Sequence, residues 1–256
     1  MTGTAGPDSR RRNAFVTGAA TGIGAAIAVA LAGKGYDVAI SARQAERLAD
    51  TAGQIGALGA RVLPITLDLC SLTAVESAMA QVSDAFGHLD VLANNAGATL
   101  RKPALEVTAD EWESVMQPNL RGTFFLCQQA GRHMIGRGIA GCIINVASAH
   151  GVVGFPNRSV YGMSKAGLIH MTRMLAVEWA EYGIRVNAIA PGTVTTDSRA
   201  AMLADPKVKE MMLNRVPLHR FATPQEIAEA VCFMASPAAS YMTGQTLLFD
   251  GGLTAC

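Results

Sequence analysis

Two residues four positions apart frame the chemistry open to this chain. The stretch YGMSKAG places Tyr161 and Lys165 at i and i+4, neighbours on one helix face with Cβ atoms about 5–6 Å apart. A free phenol, with a pKa near 10, is a poor proton donor at neutral pH. A catalytic acid works best when its pKa lies near the working pH, and a nearby ammonium favours the phenolate form. The pair is therefore suited to give a proton to a substrate oxygen, or to take one from it. The plainer alternative is an aromatic ring covered by the stem of a lysine.

A pair on one helix face needs a scaffold to position it. The runs 14–18, 37–41, 61–67, 89–94, 141–148, 184–191 and 246–250 are rich in Val, Ile and Leu without alternation, as strands buried on both faces should be. Between them lie amphipathic stretches at 22–33, 44–57, 71–86, 108–135 and 159–182, with Gly35 and Gly59 where helix C-caps would fall. Strand–helix–strand repetition predicts an α/β fold, a doubly wound parallel seven-stranded sheet with helices on both faces. No change of composition marks a linker. We expect one domain from residue 14 to 256, behind a solvated N-terminal tail over 1–13 that carries the basic run Arg10, Arg11 and Arg12.

The first strand runs into TGAATGIG, where Gly18, Gly22 and Gly24 open a helix. Glycines there let the backbone approach a pyrophosphate, whose charge sits at the helix N-terminus. A second glycine pattern, GxGxxG at Gly136, Gly138 and Gly141, precedes a strand instead of following one, so it reads as a surface loop. An NAD site generally offers an acid at the end of the second strand for the ribose 2′-hydroxyl. This chain has Ala42 and then Arg43. A guanidinium binds a 2′-phosphate that an acid would repel, so NADP(H) is expected over NAD(H). The alternative for Arg43 is the first exposed residue of the next helix.

TGAATGIG (17–24), NNAG (94–97), Asn119, Ser148, YGMSK (161–165) and PGTVTT (191–196) occur in this order and on elements of fitting type. Through them the chain resembles the short-chain dehydrogenase/reductase family, in its compact single-domain branch, from about Ala14 to Gly252. The resemblance implies a Rossmann fold and an NAD(P)-dependent oxidoreductase that interconverts a ketone and a secondary alcohol by hydride transfer. It implies a catalytic set of Asn119, Ser148, Tyr161 and Lys165, with Tyr161 as acid in reduction and base in oxidation. It puts Gly18, Thr21, Gly22, Ile23, Gly24 and Arg43 on the cofactor's phosphates and adenosine side, and Asp68 and Leu69 on the adenine. Asn95, Ala96 and Gly97 would line the ribose, and Lys165 would also hold the nicotinamide ribose beside Tyr161. Pro191, Gly192, Val194 and Thr196 would hold the carboxamide. Asp68 also stands where an N-cap would precede SLTAVE. The family's asparagine keeps its helix locally open, and Pro118, just before Asn119, deletes one helical hydrogen bond and fits an irregularity there.

Half of the 256 residues are hydrophobic, 16% are charged, and the formal net charge is +1. That composition builds a core and gives no global field toward nucleic acid or an anionic membrane. No apolar run approaches the roughly 18 residues of a membrane span. Cys70, Cys127, Cys142, Cys232 and Cys256 show no CxxC or metal-ligand spacing, so no metal site is expected, and reduced thiols point to the cytoplasm. Ser148, His150 and Phe155 are the expected substrate contacts, with Ala149, Val153 and a lid over about 193–215. The C-terminal part is similar to bacterial 3-oxoacyl-carrier-protein reductases and equally to sugar-alcohol dehydrogenases. Carrier-protein reductases tend to carry basic docking residues where this chain has Glu181 and Tyr182, which favours a small free ketone or alcohol over an acyl thioester. A cofactor-binding regulator without turnover is the alternative from another class, and the presence of both Tyr161 and Lys165 argues against it. Apolar residues all round the helices at 108–135 and 159–182, together with the resemblance, imply a homotetramer.

Overall fold

The computed structural model describes residues 11–197, 200 and 204–255. Its centre is a parallel sheet of seven strands in the order β3-β2-β1-β4-β5-β6-β7. These are β1 (Arg12–Thr17), β2 (Tyr36–Ala42), β3 (Val62–Thr66), β4 (Val91–Asn94), β5 (Cys142–Val146), β6 (Arg185–Pro191) and β7 (Thr246–Phe249). The order reverses direction between β1 and β4, and such a switch point leaves a crevice beyond the carboxyl ends of the strands. Registers such as Val16 opposite Ile40 and opposite Ala93 bring the ends of β1, β2 and β4 level there.

The lack of alternation in the strands has its cause in the two layers that cover the sheet. Phe15, Leu92, Ile143 and Val186 point to one face, where they pack under α3 (Leu72–Phe86), α5 (Thr123–Gly136) and α6 (Ser159–Trp179). Val16, Ile40, Ala93 and Ile144 point to the other, under α1 (Gly22–Gly33), α2 (Ala49–Ala57) and the helix Pro224–Ala235. Phe15 and Ile40 are fully enclosed, and burying a side chain of that size contributes about 1.5–3 kcal/mol. Gly35 (φ 86°) and Gly59 (φ 72°) take the left-handed conformation just past α1 and α2, as C-terminal glycines do.

Two expectations need correction. The domain does not begin at Ala14, because β1 starts at Arg12. Arg11 pairs with Asp37 at 2.9 Å, the Arg12 guanidinium lies 4.3 Å from the Tyr36 ring centroid, and the Asn13 N–H donates to Asp90. Two of the three consecutive arginines thus tie the start of β1 to the start of β2, while residues 1–10 lie outside the described residues. The stretch 108–135 is also not one helix. It divides into α4 (Ala109–Met116), a π-helical turn Gln117–Gly122, and α5. Pro118 has no N–H to give to the preceding turn, and its own carbonyl accepts the Thr123 hydroxyl. A short helix α7 (Pro206–Leu213) and α8 (Pro224–Ala235) lie in the chain between β6 and β7.

Candidate active site

The turn after β1 is built from backbone that tolerates no side chain. Gly18 has φ 65°, and a Cβ there would lie 2.8 Å from the Ala96 Cα. A Cβ on Gly24 would collide with the Gly18 carbonyl and the Asn95 amide. Asn95 itself acts as a strut: its side-chain N–H donates to the carbonyls of Thr17 (3.2 Å) and Gly18 (3.0 Å). The Thr17 hydroxyl accepts from the N–H groups of Asn95 and Ala96. Thr17 is a residue that sequence reasoning passed over. Its only signal was its place at the head of the glycine turn.

Helix α1 then starts without a cap. Thr21 precedes it in extended conformation, makes no side-chain capping bond, and no acid lies in the first turn. α3 is capped by Ser71, α4 by Thr108, α7 by Asp205 and α8 by Thr223, whereas α2, α5 and α6 share with α1 the lack of a side-chain cap. The first N–H groups of a helix need partners, and an uncapped N-terminus with its positive dipole end suits a phosphate. The donor set and the close-packed glycines together fit the pyrophosphate of a dinucleotide.

The walls around this turn enclose a cavity of about 400 Å³ lined by Thr21, Gly22, Ile23, Asn95, Gly97, Ser148, Tyr161, Lys165, Pro191, Gly192, Val194 and Thr196, among others. Twelve of the expected site residues therefore meet in one place. The loop after β6 is fixed there by a parallel bridge between Val194 and Ala222. Gly18, Gly24 and Ala96 lie behind the lining as its support. Asp68 and Leu69 follow β3, with Asp68 exposed and Leu69 buried. Asp68 accepts the Cys70 N–H, so the capping role proposed for it belongs to Ser71. Leu69 is backed by Gly122, where a Cβ would collide with the Leu69 carbonyl. Arg43 is exposed one residue beyond β2, and the turn lies close by, since the Ala19 N–H donates to the Ser41 carbonyl at 2.9 Å.

Tyr161 and Lys165 share a face of α6, with the Lys165 ammonium 5.8 Å from the Tyr161 ring centroid. Lys165 is only 5% exposed and donates to the Val146 carbonyl at 2.8 Å. Burial depresses its pKa below the ordinary value, and the Tyr161 phenol acts in the opposite sense. The Ser148 hydroxyl, two residues past β5, accepts the His150 N–H at 3.2 Å. Asn119 sits in the π-helical turn, 1% exposed. Its Oδ1 accepts the Ala98 N–H at 2.6 Å, and its Nδ2 donates to the Ala98 carbonyl and the Ser164 hydroxyl, both at 2.9 Å. The widened turn thus ties the loop after β4 to the residue beside Lys165.

A second cavity of about 300 Å³ adjoins the first through Ser148, Arg158, Pro191 and Gly192. His150 and Phe155 line it, with Ala149, Thr193, Met211, Met212 and Arg215. Val153 does not: it faces a separate depression beside Ala104 and Met163. Arg101, Arg158 and Leu253 were missed, because their places depend on how loops after β4, β5 and β7 converge. Of the expected lid over 193–215, residues 198–199 and 201–203 lie outside the described residues. Cys70, Cys127, Cys142 and Cys232 are free thiols, and among the described residues no group of His, Cys, Asp and Glu could hold a metal ion. No helix among the described residues is long and apolar enough to cross a membrane.

A family model described as Enoyl-(Acyl carrier protein) reductase matches residues 18–254. The chain is 38% identical over 239 residues to 2-dehydro-3-deoxy-D-gluconate 5-dehydrogenase of Escherichia coli strain K12, covering 93% of this chain and 94% of the relative. It is 40% identical over 243 residues to the 3-oxoacyl-(acyl-carrier-protein) reductase FabG of Staphylococcus aureus, covering 94% and 98%. A crystal structure of a protein from Agrobacterium tumefaciens with bound NADP superposes with a TM-score of 0.90 at 36% identity, covering 97% of this chain and 98% of that one. The chain belongs to the short-chain dehydrogenase/reductase family. It is an NAD(P)-dependent oxidoreductase acting on the alcohol–carbonyl couple.

Proposed function

We propose that this enzyme reduces a small ketone to a secondary alcohol, and oxidises the alcohol in reverse, with NADP(H). The observation that carries the reading is the convergence of Tyr161, Lys165 and Ser148 on the cavity that the uncapped end of α1 enters. When bound, the nicotinamide cofactor exchanges a hydride with the carbon of the couple. The Ser148 hydroxyl donates to the carbonyl oxygen and draws electron density onto it. As the C=O π pair moves to oxygen, Tyr161 gives its phenolic proton to that oxygen, and the resulting phenolate is held by the Lys165 ammonium. In oxidation the same phenolate removes the alcohol proton. Asn119 acts as a positioning residue, through Ser164 and Ala98, on the helix turn that carries Lys165.

The NADP(H) preference rests on the neutral Ala42 and the guanidinium of Arg43 at the end of β2. A charge-assisted hydrogen bond is worth about 1.5–3 kcal/mol, and about 1.4 kcal/mol is tenfold in affinity. Arg43→Asp should weaken NADPH binding at least tenfold, read by fluorescence titration of NADPH and NADH against both proteins. Wild type that already prefers NADH would overturn the cofactor reading and leave the reaction reading intact.

Assembly as a homotetramer is part of the proposal, supported by Phe124 on α5 and by Met163, Met174 and Val177 on α6. These are 37%, 47%, 50% and 80% exposed in the single chain. Light scattering at micromolar concentration measures the mass. A cytoplasmic setting accords with the free thiols. Reduction of a 3-oxoacyl thioester is the second reading, favoured by the similarity to FabG, and a panel of ketones and acyl thioesters followed by NADPH absorbance separates the two.

A further inference from the structure

The second cavity, where the proposed ketone would extend away from Ser148, is lined by cations. Arg101, Arg158 and Arg215 line it, and no Asp or Glu does among the described residues. None of the described acids that flank these segments lines the cavity: Glu106 and Glu210 are exposed outside it, and Asp250 accepts the N–H groups of Gly252 and Thr254 and lines a separate depression. Asp205 caps α7 by accepting the Lys207 N–H at 2.9 Å, and Asp197 lines a different depression beside Thr21 and Gln54. The remaining wall is largely apolar, with Phe155, Met212 and Val216.

Two of the cations are aimed by their surroundings. Arg158 donates to the Thr99 hydroxyl at 2.7 Å and to the Leu100 carbonyl at 3.3 Å, next to Arg101. The Arg215 guanidinium lies 4.5 Å from the Phe155 ring centroid, and that ring lies 5.0 Å from His150. Stacking holds the guanidinium plane and leaves its edge of N–H donors for an acceptor. Arg101 and Arg215 are exposed at the cavity and Arg158 is half-buried, and an anion entering there can accept paired, charge-assisted hydrogen bonds.

We propose that Arg101, Arg158 and Arg215 form an anion clamp in the substrate cavity, and that the enzyme's substrate is a keto acid or hydroxy acid whose carboxylate lies among them. This rests on the ketone–alcohol reading and names its substrate class. Arg158 lines both cavities, so the carboxylate binds beyond Ser148, one short apolar spacer from the reacting carbon. A neutral ketone or an acyl thioester brings no charge to that place.

The test compares levulinate and a cyclohexanone carboxylate with their methyl esters, under saturating NADPH, in wild type, Arg101→Gln, Arg215→Gln and Arg215→Lys. The clamp predicts that wild type prefers each acid over its ester by at least about tenfold in kcat/KM. Each glutamine variant should lose about tenfold on the acid, chiefly in KM, while the ester changes by less than about threefold, and lysine should restore part of the loss. Equal handling of acid and ester by wild type, or equal losses on both in the variants, overturns the clamp and leaves the ketone–alcohol reading standing. If neither compound turns over, the reaction reading has failed for these carbonyls. Calorimetric titration of each acid into the NADPH-bound enzyme then decides the clamp: binding that Arg215→Gln abolishes supports it, and no binding overturns it.

Discussion

Replacing Lys165 with methionine isolates the contribution of one ammonium. The side chains have similar length, so the buried channel between Val146 and Tyr161 stays filled. The Val146 carbonyl loses its 2.8 Å donor, which costs about 1–3 kcal/mol for an unsatisfied buried acceptor. Removing a buried cation at the same time relieves its desolvation, so the fold should survive, as a thermal melt will show. The catalytic term is larger. At the 5.8 Å separation of the ammonium from the Tyr161 ring, a unit charge on the phenolate is attracted by about 3 kcal/mol for an effective dielectric of about 20. That is roughly a hundredfold in rate if the phenolate is fully developed in the transition state. Lys165 is also expected to contact the ribose, so steady-state rates would mix binding with chemistry. Single-turnover stopped flow at saturating NADPH and ketone removes the mixture. A chemical step retained within about threefold of wild type would refute the argument that Lys165 acts on Tyr161.

Tyr161→Phe should abolish turnover while NADPH affinity stays nearly unchanged, and more than a few per cent of residual rate would remove the phenol from the mechanism. Gly24→Ala forces a methyl into the Gly18 carbonyl and the Asn95 amide; overpacking of this kind costs about 1–3 kcal/mol. NADPH affinity should fall about tenfold together with the melting temperature, and unchanged affinity would show that the turn yields freely. Above about pH 9 stability should decline through three buried thiols. Burial pushes the thiol of Cys127 up to about 12 and those of Cys142 and Cys232 to about 11, against an unfolded value of 9.0. Between those values the unfolded chain has lost protons that the folded chain keeps, and each thiol then removes up to about 1.4 kcal/mol per pH unit. Lys165, depressed by burial, opposes this with a single group. Urea midpoints across that range, with Cys127→Ala for comparison, measure the slope; a midpoint that rises above pH 9 would contradict it.

Much of this enzyme was legible from local pattern. Unbroken apolar runs announced strands, buried on both faces in the middle of the sheet but only partly covered in the edge strands β3 and β7, and glycines at a strand end announced a turn with no room for a side chain. Tyr161 and Lys165 could be paired because helical geometry sets their separation. Asn119 was recognised through a resemblance, and Pro118 beside it foretold an irregular turn because a proline lacks an N–H wherever it stands. These are short-range properties of the chain, and they survive any arrangement of the distant parts. The rest depended on elements remote in sequence arriving at one place. The Thr17 hydroxyl became a post for Asn95 and Ala96 only when β4 lay beside β1. Arg12 looked like part of a solvated tail until Tyr36 offered its ring. Arg101, Arg158 and Arg215 carry no shared motif, and each alone is an ordinary surface cation. Only the convergence of loops beyond the strand ends places them around one cavity with no acid among its described lining residues, because the sum of charges at a point is set by distances through space and not by separation along the chain.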